Sequence, residues 1–409
     1  MKKLKIILVA SGFFLFGSFI ASAANKPAEI IGLLLTWVDD PSTTMVIDMH
    51  TPGSSLNQPE IAYRLSGKTD WETQKAVSFP FPYAERTIHR VKLKDLKPAH
   101  TYEFCLGKDG EIFRFRTMPR NLKRTSVRFI TGGDTMHGKE LMDKTNKVAL
   151  TYNPDFLVLG GDFAYANGLP ENSGRWVQWF QSLKENLIDK NNRVIPIVAG
   201  IGNHEVQKST FKNHPDFKDT DEWRKKIAPY FYTFFSFPGL QGYNVLDFRK
   251  YLSFIALDTD HTNFIAGKQS EWLESTLASR SSKTRHIFPF YHVPAYPSHR
   301  AFSGANSALV RENFVPRFEK HGIKVVFENH DHTFKRTYPL FQGKKVEDGK
   351  GIVYIGDGAW GVGTRPLNNE WYLARSESIR HFIVVTLKGK NADFVMVDET
   401  GKEFDRYNY

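Results

Sequence analysis

The chain has 409 residues, a formal net charge of +11, 41% apolar residues and a single cysteine. That length suits two domains rather than one, and the apolar content suits a large packed core and excludes a disordered chain. Cys105 alone excludes an intrachain disulfide, and the basic balance suits anionic substrates or surfaces but is equally ordinary in an exported protein.

Taken in chain order, Lys2, Lys3 and Lys5 precede an apolar run from Ile6 to Ile20, and Ala21-Ser22-Ala23 follows. This is the pattern of a secretory signal cleaved after about Ala23. The run is short for a spanning helix. Residues 1–23 hold no acid, so setting these three lysines aside lowers the charge to +8. The expectation is a secreted or periplasmic protein with no stable membrane insertion once the signal is removed.

Residues 27–118 read as an all-β module. Short β-prone runs at 30–38, 44–49, 61–65, 87–93, 102–106 and 112–116 are separated by turn-rich stretches such as Asp39-Asp40-Pro41-Ser42. Trp37 and the corner from Leu96 to Tyr102 resemble a fibronectin type III sandwich, which packs around a buried Trp and a corner Tyr. Pro119 to Thr125 is polar and basic and reads as a linker.

The pattern changes from Val127 onward. Strand runs at 127–131, 156–160, 194–199, 252–257, 286–291 and 324–327 alternate with helical spacing at 139–151, 175–189, 267–279 and 309–321. Trp176, Phe180, Leu183 and Leu187 recur at helical intervals as one apolar face, and core packing accounts for them. Further strands are expected at 351–356 and 381–387, with 392–397 closing the second sheet. The order argues an α/β domain over residues 126–409.

Polar residues gather at the ends of these strands. Asp134 ends the first, and Asp162 ends the second with Tyr165 three residues on. Asn203 and His204 follow the third, His292 a later one, and His330 and His332 come last, in Glu-Asn-His-Asp-His. Any one alone is ordinary: Gly-Asp after a strand is usually a turn, His-x-His usually a surface loop, and Tyr165 by itself a core tyrosine. Together they occupy strand carboxyl ends, where α/β folds bind ligands. A mixed set of carboxylates, amide oxygen and imidazoles suits Zn, Fe or Mn rather than Ca or Mg. Two metals roughly 3.5–4 Å apart can clamp a phosphoryl group and activate a water. Asp162, central among the ligands in sequence, is the natural bridging carboxylate.

These blocks resemble the purple acid phosphatase branch of the calcineurin-like metallophosphoesterases over about residues 127–336. Gly161-Asp162-Phe163-Ala164-Tyr165 and Gly202-Asn203-His204-Glu205 match fully, and the fourth block keeps only His292. The preceding β module is similar to the fibronectin-like domain of the larger members. The resemblance implies a four-layer α/β/β/α sandwich after the β sandwich, and a phosphohydrolase of phosphate monoesters acting through a metal-activated hydroxide. It implies one metal held by Asp134, Asp162, Tyr165 and His332, Fe(III), and another by Asp162, Asn203, His292 and His330, which is Zn, Mn or Fe. His204 would be donor to the phosphate or leaving group, and His299 is a candidate substrate-binding residue. The implied partner is a small phosphate ester, with no nucleic acid. Family members of this size are often dimers, which leaves a homodimer open. Two rival readings use the same residues: a phosphodiesterase or nucleotide pyrophosphatase on this scaffold, and a non-catalytic ligand-binding module carried by the β domain. The chain departs from the family at Met136 and Asn329, where glycines are usual. Met136 is expected to narrow the site or shift substrate choice, and Asn329 to sit in the left-handed region that Asn tolerates.

Overall fold

The structure is a computed structural model that describes residue 1 and residues 28–409 except 55–57, 124, 209–211, 213 and 241. The expected signal therefore lies outside the described residues, Met1 excepted. Among the described residues no helix is long and apolar enough to cross a membrane.

Two four-stranded antiparallel sheets form the first module. One holds Gly32–Thr36, Met45–Pro52, Arg86–Leu93 and Val77–Pro80, and the other Glu72–Lys75, Glu60–Leu65, Thr101–Leu106 and Phe113–Arg116. The strands at 72–75 and 77–80 escape sequence reading because they are four-residue edge strands with no buried residue, too short for alternation to show. The Tyr102 hydroxyl accepts the Lys97 N–H at 2.8 Å, tying the corner together. Trp37 does not sit inside the sandwich as expected. Its indole packs edge-on against Phe156 and Phe248, at 5.7 and 5.6 Å, and so plugs the junction with the next domain.

The α/β part is a pair of facing sheets. The first orders Ile197–Ala199, Phe156–Leu159, Val127–Gly132, His381–Lys388, Asn391–Asp398 and Glu403–Asn408. The second orders Asn244–Phe248, Leu252–Leu257, His286–Tyr291, Val325–Glu328, Val353–Gly356, Phe334–Thr337 and Leu373–Glu377. Alternation decides which side each residue serves. Phe129, Val158 and Val385 face inward onto Phe254, Phe288 and Phe327. Ile130, Leu157 and Val384 face outward onto Trp176, Trp179 and Phe180 of helix Ser173–Asn186 and Met142 and Ala149 of helix Lys139–Thr151. On the far side, Leu273, Leu277, Val310 and Phe318 cover Ile255, Leu257 and Val326. The result is the four-layer α/β/β/α sandwich.

Two expectations change. The strand at 391–398 pairs antiparallel with 381–388, which pairs with 127–132, so both belong to the first sheet, and Glu403–Asn408 is its edge. The helix expected at 309–321 is two, Ala305–Asn313 and Val315–Lys320. Pro316 has no N–H for a continuous ladder and is accommodated in the first turn of the second helix.

Candidate metal centre

Parallel strands bring their carboxyl ends to one rim. The 127–132, 156–159 and 197–199 strands run parallel in the first sheet, and 252–257, 286–291, 325–328 and 353–356 in the second. Each chemical block occupies the loop after one of these strands.

Eight expected residues converge there. Asp134 Oδ1 lies 3.1 Å from the Tyr165 hydroxyl and 3.0 Å from His332 Nε2, and the Tyr165 hydroxyl is 3.0 Å from His332 Nε2. In the other half, His292 Nε2 lies 3.1 Å from Asp162 Oδ2, 3.1 Å from Asn203 Oδ1 and 3.0 Å from His330 Nδ1. His204 lies against the Tyr165 ring at 4.3 Å, with its Nε2 3.9 Å from Asp162 Oδ2. His299 does not join them. Its Nδ1 bonds the Pro366 carbonyl at 2.7 Å and its backbone N–H donates to Asp331.

The donor set fits a cation. His292 Nδ1 faces the Gly160 carbonyl at 3.0 Å and must donate to it, so the neutral ring presents a lone pair at Nε2. That lone pair meets a carboxylate oxygen and an amide oxygen, neither of which can donate. Burial opposes charge on His292, but the Asp162 and Asp134 carboxylates outweigh it and pull the ring up to about 9. The local field thus favours positive charge among these lone pairs. Burial, and after it the His292 imidazole, hold His330 well below the ordinary range, so the field does not favour protonating both rings. Burial, with Asp134 and Asp162, keeps the Tyr165 phenol well above its usual value. A cation there would have to displace that proton.

The backbone is strained to make this arrangement. Asp134, Asp162, Tyr165, His330 and His332 all adopt positive φ, from 54° to 85°. Asn329 does not share it. Its side chain instead occupies space that two glycines leave: a Cβ at Gly160 would lie 1.9 Å from Asn329 Nδ2, and one at Gly133 2.4 Å from Oδ1. Asn329 Nδ2 donates to the Tyr291 carbonyl, and its N–H to that of His292, so it locks the two histidine loops together. Met136 is fully buried in the core beneath the site, so it does not narrow the cleft. Its neighbour His137 is exposed and packs on the site.

The protein-family model of the calcineurin-like phosphoesterases matches residues 133–334, and that of the purple acid phosphatase N-terminal domain matches residues 31–117. The chain belongs to the purple acid phosphatase-like calcineurin-like phosphoesterases. With that family comes its class of enzyme, a metal-dependent phosphoric ester hydrolase. A probable purple acid phosphatase 20 of Arabidopsis thaliana is 26% identical over 344 residues, 80% of this chain and 75% of its own length. Purple acid phosphatase 21 of the same plant is 25% identical over 291 residues, 68% of this chain and 60% of its own length. The solved purple acid phosphatase from yellow lupin (Lupinus luteus) seeds superposes with a TM-score of 0.75 at 16% identity, covering 92% of this chain and 73% of that one. At that identity the likeness shows the fold alone.

In a purple acid phosphatase-like chain the family implies a dinuclear metal centre, and Asp162, His292 and His330 already place three ligand atoms within 4.8 Å of one another. Several supporting residues escaped sequence reading. Glu205 accepts the N–H groups of Asp162, Phe163 and Gly202 at 2.7, 2.8 and 2.8 Å, clamping two loops. Asn167 Oδ1 accepts from His204 Nδ1 at 2.5 Å. Asp331, between the two histidines, accepts from the N–H groups of Ser298, His299 and Arg300. Behind the loops, Lys335 is buried between Glu328 and Asp357 at 2.6 and 3.2 Å. Glu205 is the last residue of its block and Asp331 lies inside His-x-His, so their positions were visible, but their partners were not. A cavity of about 710 Å³ near Asp39, Arg120, Lys123 and Tyr251 lies at the domain junction, and none of the eight residues lines it.

Proposed function

We propose that this protein hydrolyses phosphate monoesters at two metal ions, one held by Asp134, Asp162, Tyr165 and His332 and the other by Asp162, Asn203, His292 and His330. The observation that carries this reading is the convergence of His292 Nε2 with Asp162 Oδ2, Asn203 Oδ1 and His330 Nδ1 at 3.0–3.1 Å, a mixed oxygen and nitrogen donor set of the kind that holds a transition-metal ion. When bound, such a metal pair supplies the positive charge that clamps phosphoryl oxygens and lowers the pKa of an attacking water. The buried Tyr165 phenol favours Fe(III) on its side, with Zn, Mn or Fe on the other.

The chain's own residues do the remainder. His204 donates a hydrogen bond from Nδ1 to Asn167, which leaves Nε2 as the atom facing the ester, and in the imidazolium form Nε2 delivers a proton to the ester oxygen as the bond breaks. Asp162 Oδ1 holds the His204 backbone N–H at 2.8 Å, fixing this donor relative to the ligand set. The basic start, apolar run and Ala21-Ser22-Ala23 support an exported protein.

Asn203→Ala or His292→Ala should abolish turnover of an aryl phosphate while the fold persists; normal turnover in either variant would sink the reading. Purified protein loaded with iron should absorb in the visible, and Tyr165→Phe should bleach it. A colourless, zinc-loaded, active protein would keep the hydrolase and remove the iron assignment.

A further inference from the structure

We propose that His137 is a second substrate-positioning imidazole, whose Nε2–H donates a hydrogen bond to a phosphoryl oxygen of the bound ester. The inference rests on the site proposed above. His137 packs edge-on against Tyr165 at 4.5 Å and 72°, and against His332 at 5.0 Å and 71°. It therefore borders the half of the cluster formed by Asp134, Tyr165 and His332. The residue is exposed, in contrast to the Asp134, Tyr165 and His332 it borders. A chain loop fixes its tautomer. The Gly363 N–H donates to His137 Nδ1 at 3.2 Å, so the neutral ring carries its proton on Nε2.

The two imidazoles that lie nearest the Tyr165 ring, His204 at 4.3 Å and His137 at 4.5 Å, are thereby opposite in kind. His204 donates from Nδ1 to Asn167 and, when neutral, has no proton at Nε2. His137 accepts at Nδ1 and keeps a donor at Nε2 whenever it is neutral. Its anchor is continuous with the site. The strap holding Gly363 also passes the Gly363 carbonyl to His332 Nδ1 at 3.3 Å, the Gly361 N–H to the Asp134 carbonyl at 3.0 Å and the Arg365 N–H to the His332 carbonyl at 3.2 Å. The His137 N–H in turn donates to the Gly361 carbonyl at 2.8 Å. A side chain held this firmly, yet exposed and with its one free donor unpaired, is built to meet a ligand. An oxygen-rich anion lying over Tyr165 and His332 is the ligand whose chemistry matches.

The test compares His137→Phe, which keeps a ring but loses the donor, with His137→Gln, which keeps an N–H. KM and kcat are measured on phenyl phosphate, and the affinity for inorganic phosphate by inhibition and by titration calorimetry. His137→Phe should raise KM and weaken phosphate binding roughly three- to tenfold, the worth of one neutral hydrogen bond, with kcat within about twofold. His137→Gln should recover part of the loss. Unchanged phosphate affinity in His137→Phe overturns the proposal, as does a fall in kcat alone. Should the wild-type protein turn over no phosphate ester, the hydrolase reading fails by itself, and calorimetry with phosphate still decides the role of His137. If wild type and His137→Phe bind phosphate equally, or neither binds it, the proposal falls.

Discussion

His50 gives the fold an acid liability that can be measured. It lies in strand Met45–Pro52 of the first module, fully buried, and its ring meets Phe180 at 4.4 Å, Phe81 at 5.7 Å and Phe234 at 6.3 Å. Phe81 belongs to the sandwich, and Phe180 and Phe234 to helices Ser173–Asn186 and Pro229–Phe234 of the α/β domain, so the imidazole sits in the seam between them. Neither ring nitrogen has a hydrogen-bond partner. Burial, then the Arg86 and Arg90 guanidiniums and His89, push its pKa from 6.5 down to about 3. A base whose pKa is depressed by folding contributes its full stability above pH 6.5 and loses it as the pH falls toward 3. At pH 4.5 the unfolded ring is protonated by about a hundred to one while the folded ring is still neutral. The loss is then ~2.7 kcal/mol, at 1.36 kcal/mol per pKa unit. His50→Leu removes the titrating group and keeps a side chain of similar size. Urea unfolding of both proteins at pH 7 and pH 4.5, followed by fluorescence of tryptophans such as Trp37, isolates the effect, because titrating groups that do not interact with His50 cancel. The stability of the variant relative to wild type should rise by about that amount on acidification. An identical pH dependence for the two proteins would refute the reasoning.

Two further outcomes follow from close contacts behind the site. Lys335→Met leaves Glu328 and Asp357 buried without their cation, and should cost about 3–5 kcal/mol, read as a lowered melting temperature. Gly358 has φ +64° and a Cβ there would lie 1.8 Å from Asp134 Oδ2. Gly358→Ala should therefore displace Asp134 and lower both bound metal and aryl phosphate turnover at least tenfold, the scale of losing a metal-ligand contact. Retention of full metal content would show that the loop absorbs the methyl.

Much of this protein was legible in its residues. The alternation from Val127 onward, the helix at 139–151 and the strand ends that carry Asp134, Asp162, Asn203, His292, His330 and His332 are local signals, written as periodicity and short blocks. The helices Asp221–Ile227 and Pro229–Phe234 were not read, because their apolar residues follow no helical period long enough to show. They are set instead by the Thr220 cap, whose side chain accepts the Trp223 N–H, and by Phe234 and Phe235 packing on Trp176 and Phe163. The final strand, Glu403–Asn408, is edge structure whose existence depends on its partner. In the site, the block residues named the side chains that converge there, but sequence misplaced the two departures from the family pattern. Met136 turns into the core, and Asn329 fills space above Gly133 and Gly160, more than a hundred residues away in the chain.

Residue order by itself determined which side chains could bind metal and that each would follow a strand, since both depend on spacing within a few residues. Only the tertiary structure decided that His137 borders the cluster, that His299 is tied away from it, and that Trp37 and His50 serve the domain seam. Those facts depend on which surfaces meet when distant segments pack, and a chain's local pattern does not carry the identity of its distant neighbours.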